Sequence, residues 1–502
     1  MIQSRVYGLP VPQNMQPTIY IVKGSYNMSN LSIKTIDGGD FSFNQDQLTE
    51  FETGFRGQVL YADQHGYNQA RKIWNGIFDK KPAVVIRCVG TSDVVKAVNF
   101  IRENRLLSSV KGGGHNSAGT GACDGGVMID LSQMRSVTVD RNNQTARVDG
   151  GALLGDVDHE TQLYGLAVSG GIISHTGVGG LALGGGYGWI GRKYGMTVDN
   201  LISAEVVTAD GKVVTASADE NPDLFWAVRG GGGNFGIVTT FEFKCAPIGT
   251  EALSGLIVKR FEDARQYLQF HRNYVRGLPD EMSAWIVIRH APPLPFLPKE
   301  VHGKKVVVVA FAWLGSQAEG EKLLVPISDA TPSHGEWIAM NPWTAWQSAF
   351  DALVEHGARN YWKSHQLKDL SDGCIEQVIE YAENFPSEEC EIFIPHLEGA
   401  QSRIPEDATA YAHRKTPFLL NIHTRWRKTE DDERCLTWVK DFHNATREFA
   451  DGVYVNFMSQ EGKERVKEAY TPAVWDRLVK IKTKWDPDNL FRMNQNIEPS
   501  AH

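Results

Sequence analysis

The chain has 502 residues, 42% of them apolar and 22% charged, as expected of two or three globular domains with ample core. Its net charge of −9 excludes the basic footprint of a nucleic-acid binder. Six scattered cysteines without a CxxC pair exclude a zinc ribbon and point to free thiols, and no apolar run approaches the ~20 residues of a membrane span.

The first twenty residues, MIQSRVYGLPVPQNMQPTIY, contain no apolar segment of the secretory kind, so a cytoplasmic protein is expected. Residues 1–50 carry Pro10, Pro12 and Pro17, show no period and read as an irregular extension. Residues 67–82 place apolar side chains at helical spacing. AVVIRCV is a β-branched strand, and residues 92–105 open on a capping serine and continue as an amphipathic helix. LLSSVKGGGHN is a strand running into glycines. VMIDLSQM, SVTVD, TARVDGGA and AEVVTADGKVVTAS are short strands, the last folding back at ADGK. Glycines thin out after Cys245. Longer strands follow (SAWIVIRHA, KKVVVVAFAWLG, CEIFIPHLEG, FLLNIHTRW), alternating with helices such as IEQVIEYAENF. The pattern predicts an α+β protein with an extension over 1–50, a glycine-rich unit over 51–245, a second unit over 246–450 and a C-terminal segment over 451–502.

Three glycine clusters stand out, at 112–121, 177–191 and 230–236. Unobstructed N–H groups in such loops form anion-binding nests, so a phosphate-bearing cofactor is the natural occupant; tight turns alone are the bland alternative. His115, within KGGGHNSAGTG, is presented to whatever its loop surrounds. Gly186, Gly188 and Gly191 formally spell GxGxxG, with Asp210 about twenty residues on, which keeps a nicotinamide dinucleotide open. The preceding strand is missing, however, and RKYGMTVDN makes a poor helix. There is no GxSxG, P-loop or HxxxH spacing, so nucleophilic hydrolysis, phosphoryl transfer and a metal site have no motif behind them.

GGGHN, GVGGLALGGGYGW, DLFWAVRGGGGNFGIVT and WDPDNLFRMNQNI, in that order, resemble the berberine-bridge-type flavin oxidases of the vanillyl-alcohol-oxidase superfamily. GLALGGG with KYGMTVDN resembles the 6-hydroxynicotine-oxidase type within it. The likeness covers about residues 55–250 and 450–498 well and 250–450 loosely. It implies a two-part FAD-binding domain over 51–245, to which 451–502 returns, and a substrate domain over 246–450 whose antiparallel sheet, backed by helices, roofs the flavin. It implies FAD bonded covalently through His115. Further cofactor contacts would come from Lys111, Gly112, Gly113, Gly114, Asn116, Ser117, Gly121, Thr176, Gly177, Val178, Gly179, Gly180, Gly184, Gly188, Gly236, Ile237, Val238, Asn456, Asn494 and Asn496. The second tether of many members, a cysteine, falls at Ile173, so a single link is expected. Thr176 stands where oxygen-reactive members carry a small residue, which favours an oxidase over a dehydrogenase.

In FLLNIHTRW a period of two places Leu419, Asn421 and His423 on one face, the flavin side by resemblance; His423 bonded to a nearby backbone carbonyl is an equal alternative. Tyr470 aligns with a tyrosine that serves as base or substrate contact, though an ordinary pKa of ~10 would need a neighbouring cation to lower it. IFIPHLEG matches the Lys-x-Glu-x-Glu strand of the amine-oxidising relative only at Glu398, with His396 and Ile394 in the other places. Lys363 and His365 fall near the same region, at the substrate mouth or simply solvated. The expected reaction passes a hydride from a small-molecule alcohol, sugar or amine carbon to flavin, with O2 reduced to H2O2 and Tyr470 as base, helped by His423 or His396. The alternatives are a nicotinamide-dependent dehydrogenase and a catalytically inactive flavin-binding protein. The expected partners are a small-molecule substrate and O2, with neither nucleic acid nor membrane, and the chain is expected as a monomer or homodimer.

Overall fold

Val84–Arg87 and Val127–Asp130 are apolar runs that parallel pairing buries on both faces. In the computed structural model, which describes residues 31–500, they form the centre of a four-stranded sheet ordered Gln58–Leu60, Val84–Arg87, Val127–Asp130, Ser108–Lys111. The helix Thr91–Glu103 covers this sheet with Val94, Ala97, Val98 and Ile101; its N-cap is Gly90, without a side-chain cap and two residues before the expected serine. A five-stranded antiparallel sheet follows, ordered Val213–Ser217, Leu201–Val207, Ile237–Lys244, Thr145–Asp149, Val137–Asp140. The hairpin at ADGK is its edge.

The remaining long strands build one eight-stranded antiparallel sheet. Its order is Ser333–Pro342, Glu251–Arg260, Lys305–Trp313, Met282–His290, Glu391–Ile394, Phe418–Trp426, Arg359–Leu367, Ala450–Gly452. Alternation sorts its faces. Ile286, Ile288, Leu420 and Ile422 meet helices Ala264–Tyr274, Gln317–Asp329, Asp372–Glu383 and Asp432–Ala445 on one side. Trp285, Val308, Ala310 and Leu419 face the glycine-rich half on the other. Beyond Gly452 the chain returns: Val455, Met458, Leu478, Ile481 and Ile497 pack with Val148, Phe241 and Phe243 of the five-stranded sheet.

Two expectations are corrected. Residues 31–50 are ordered as a hairpin, Leu31–Lys34 with Asp40–Phe43, and a helix, Gln45–Glu52, opened by an Asn44–Gln47 capping box; the reading for residues 1–30 lies outside the described residues. The helical spacing over 67–82 yields only Tyr67–Ala70. After it, the side chains of Trp74 and Asn75 bond to distant backbone instead: Trp74 Nε1 donates to the Val354 carbonyl at 2.6 Å, and Asn75 Nδ2 to those of Ser117 and Asn360 at 2.7 and 2.8 Å. All six cysteines are buried and free. Among the described residues no helix is long and apolar enough to cross a membrane.

Candidate active site

A cavity of about 1190 Å³ separates the aromatic face of the eight-stranded sheet from the glycine loops. It exceeds the ~300–1,000 Å³ usual for a single small-molecule site, so it has room for a cofactor and a substrate together. One wall is the loop after Ser108–Lys111, the turn into helix Val178–Gly184, and residues 231–238, joined by Asn456 and Asn494. The other is Tyr187, Trp189, Trp346, Phe350 and Phe393, with Arg289, Glu391, Asn421 and His423 among them, and the segment 292–296 at its rim.

His115 leaves the glycine run after Gly114, whose φ of +69° suits glycine. Its ring stacks on Trp74, with centroids 4.5 Å apart, and its Nε2 lies 3.0 Å from His175 Nδ1. Burial, then the neighbouring His175 and His356, push its pKa well below the ordinary value, so the imidazole is neutral. Gly113 and Gly177 let two loops touch, since a Cβ on Gly113 would sit 2.5 Å from the Gly177 nitrogen. Gly180 differs: nothing lies within 4 Å of its Cβ position, and it lines the cavity. Ser108 Oγ, Ser109 Oγ and Asn494 Oδ1 belong to cavity-lining residues and lack a protein partner. Open backbone, unpaired hydroxyls and a neutral imidazole fit a polyhydroxylated phosphate cofactor such as FAD.

Of the expected cofactor contacts, Lys111, Gly112, Gly113, Gly114, Asn116, Gly121, Thr176, Gly177, Gly179, Gly180, Gly236, Ile237, Val238, Asn456 and Asn494 line the cavity with His115. Ser117, Val178, Gly184, Gly188 and Asn496 stand behind it. Ser117 Oγ donates to the Met458 carbonyl at 3.0 Å, and Val178 is core. Gly184 backs on Asn456, where a Cβ would meet the side chain at 2.1 Å, and Gly188 on the Gly170 carbonyl at 1.7 Å. The GxGxxG at 186–191 joins two short helices, Val178–Gly184 and Gly191–Tyr194, rather than a strand to a helix, so the nicotinamide fingerprint has no βα unit.

On the substrate side His423 Nδ1 faces Glu391 Oε1 at 3.1 Å and Nε2 faces Asn360 Oδ1 at 3.1 Å. Arg289 Nη1 donates to the other Glu391 oxygen at 2.7 Å. Burial favours a neutral Glu391, but Arg289 and His423 outweigh it and hold the carboxyl down at about 2. Burial pushes His423 below its ordinary value against the pull of Glu391. Trp362 stands edge-on to the His423 ring, centroids 4.5 Å apart.

Tyr470 touches the cavity from the glycine-rich half, but its hydroxyl donates to the Gly230 carbonyl at 3.2 Å, and burial pushes it upward with no cation to offset this. That is the opposite of what a base needs. His396 and Glu398 bond to each other at 2.7 Å outside the cavity wall. The pairing with the neighbouring strand runs on in register past Pro395, with His396 opposite Phe418, and alternation puts His396 on the face of Ile392 and Ile394, whereas the cavity-facing residues are Glu391 and Phe393. Lys363 pairs with Glu461 at 2.8 Å, and His365 stacks on His443, both away from the wall. Sequence reading missed Arg289, Glu391, Trp362 and His175. Alternation could have found the first two, Arg289 from Trp285 and Val287, and Glu391 from Phe393.

A glycine-walled space facing an aromatic wall with a His423–Glu391 pair is laid out for a cofactor on one side and a substrate on the other. The family model described as "FAD binding domain" matches residues 82–217, and that described as "Berberine and berberine like" matches 453–498. The FAD-linked oxidoreductase pgmH of Aspergillus terreus is 38% identical over 493 residues, covering 91% of this chain and 97% of the relative. (R)-6-Hydroxynicotine oxidase of Paenarthrobacter nicotinovorans is 31% identical over 463 residues, covering 89% and 97%. The solved structure of glucooligosaccharide oxidase from Acremonium strictum, described with a 6-S-cysteinyl, 8α-N1-histidyl FAD, is 26% identical with a TM-score of 0.79, covering 89% of this chain and 98% of that one. The chain belongs to the berberine-bridge-like family of FAD-linked oxidoreductases. Its α+β architecture is that family's, and FAD is its cofactor.

Proposed function

We propose that the protein is an FAD-dependent oxidase that removes a hydride from a small-molecule carbon bearing O–H or N–H, with O2 taking the electrons and leaving as H2O2. Residues 51–245 with 451–502 hold the cofactor and 246–450 hold the substrate. The observation that carries this reading is one cavity with a neutral, buried His115 on its glycine side and the His423–Glu391 pair on its sheet side. When bound, the flavin supplies a two-electron acceptor. His115 would hold it covalently and alone, since Ile173 stands at the cysteine place.

The chain's own groups handle the proton. Asn360 Nδ2 donates to the Ala358 carbonyl at 2.8 Å, so its Oδ1 is the atom facing His423. A neutral His423 that keeps its proton on Nδ1 for Glu391 sets the Nε2 lone pair against that oxygen. Taking up the substrate's proton turns this repulsion into a hydrogen bond and places an imidazolium beside a carboxylate. The His423–Glu391 pair is therefore the proton acceptor, ahead of Tyr470. The aromatic wall and the rim at 292–296 exclude water and take the substrate's apolar body.

The test is acid precipitation of purified protein followed by anaerobic mixing with alcohols, sugars and amines. Wild type keeps its yellow colour in the pellet, His115→Ala loses it, and at least one substrate class bleaches the flavin. A colourless wild-type pellet sinks the link. His423→Ala lowers the bleaching rate by about 10²–10⁴, the usual worth of a general base.

A further inference from the structure

We propose that His175 accepts the proton of His115 as the flavin bond forms; this rests on the covalent link proposed above. Among the described residues, the one side-chain hydrogen bond of the His115 ring lies between its Nε2 and His175 Nδ1, at 3.0 Å. Stacking on Trp74, with an interplanar angle of 18°, fixes the plane of the ring, and the contact to His175 is what distinguishes its two nitrogens. Trp74 is itself fixed through Nε1 to the Val354 carbonyl at 2.6 Å. A proton held on Nε2 leaves the lone pair on Nδ1, free to act as a nucleophile.

His175 is held as firmly. Asp351 accepts from the Ser174 N–H at 2.8 Å and from its hydroxyl. The Ser174 and Thr176 carbonyls accept from Gly155 and Leu154 at 2.8 and 2.9 Å. Its second nitrogen, Nε2, is buried without a partner. The exposed ring of His356 lies beside it, centroids 5.0 Å apart, and offers a route to solvent.

The step balances. One C–H bond of the flavin 8α-methyl breaks and an Nδ1–C bond forms. The Nε2 proton of His115 passes to His175 Nδ1, and His175 releases its own Nε2 proton outward. O2 takes the two electrons with two protons and leaves as H2O2. His115 Nε2, now without hydrogen, accepts from His175 Nδ1–H, so the same 3.0 Å contact serves before and after with its polarity reversed.

The experiment compares wild type, His175→Ala and His175→Asn, each purified with added FAD. It reads native FAD content, flavin fluorescence in the denatured band, and the mass of the peptide containing His115. Wild type should keep its flavin on denaturation. Both variants should bind FAD natively yet retain at least tenfold less in the denatured band, and imidazole added to His175→Ala should restore retention. Retention at wild-type level in either variant overturns the proposal, as does a bond mapped to Nε2. Loss of native FAD in both variants, or no rescue by imidazole, assigns His175 a packing role and overturns it too. A wild type that sheds its flavin instead overturns the covalent link itself.

Discussion

Replacing Glu391 by glutamine keeps its shape and removes its charge from between Arg289, at 2.7 Å, and His423, at 3.1 Å. Burial alone would favour the neutral acid, but those two neighbours hold the carboxyl at about 2 against an ordinary 4.5. At ~1.36 kcal/mol per pH unit, that gap contributes about 3 kcal/mol of stability at neutral pH. A carboxyl whose native value is depressed stabilises fully above its unfolded value and loses that contribution as pH falls through the native one. The stabilisation from Glu391 is thus complete above about 4.5, roughly half gone by pH 3 and absent below about 2. Urea titrations of wild type and Glu391→Gln, followed by tryptophan fluorescence, should differ by about 3 kcal/mol at pH 7 and by about half that at pH 3. The variant's turnover should also fall, because its His423 loses the carboxylate that stabilises an imidazolium. An equal stability gap at both pH values, or unchanged kcat, refutes the reasoning.

Tyr470→Phe removes only the hydroxyl bonded to Gly230; kcat should hold, with a stability loss of about 1 kcal/mol in the same titration. His396→Gln should leave kcat and KM untouched in steady-state assays, since the ring lies outside the cavity. Gly113→Ala drives a Cβ to 2.5 Å from the Gly177 backbone and should lower the yield of soluble, FAD-loaded protein. Gly180→Ala meets no protein atom within 4 Å and should fold normally, yet in the untethered His115→Ala background it should bind FAD more weakly by equilibrium dialysis.

The cofactor wall was legible because runs of glycine around a histidine have few uses in a folded chain. Asn421 and His423 were legible because a strand alternates, and both line the cavity. What stayed hidden depends on register between distant segments. Arg289 and Glu391 are Cα partners across two strands a hundred residues apart, a pairing no local pattern encodes. His396 was reached by matching IFIPHLEG to a relative's strand, but it shares the face of Ile392 and Ile394, which turns away from the cavity. Residues 67–82 mimic a helix because apolar side chains recur at the right spacing, whereas Trp74 and Asn75 spend their polar atoms on partners far along the chain.

Those partners bear on how the two halves can move. Gly357 N–H donates to the Trp74 carbonyl at 3.0 Å, Gly76 N–H to that of Ala358 at 2.8 Å, and Asn360 N–H to Asn75 Oδ1 at 3.0 Å. Together with the bonds from Trp74 Nε1 and Asn75 Nδ2, they rivet the flank of the histidine loop to the strand that carries Asn360 and Trp362. A clamshell opening would have to shear this whole row at once. The distance between His115 on one wall of the cavity and the His423–Glu391 pair on the other is therefore set by the fold itself.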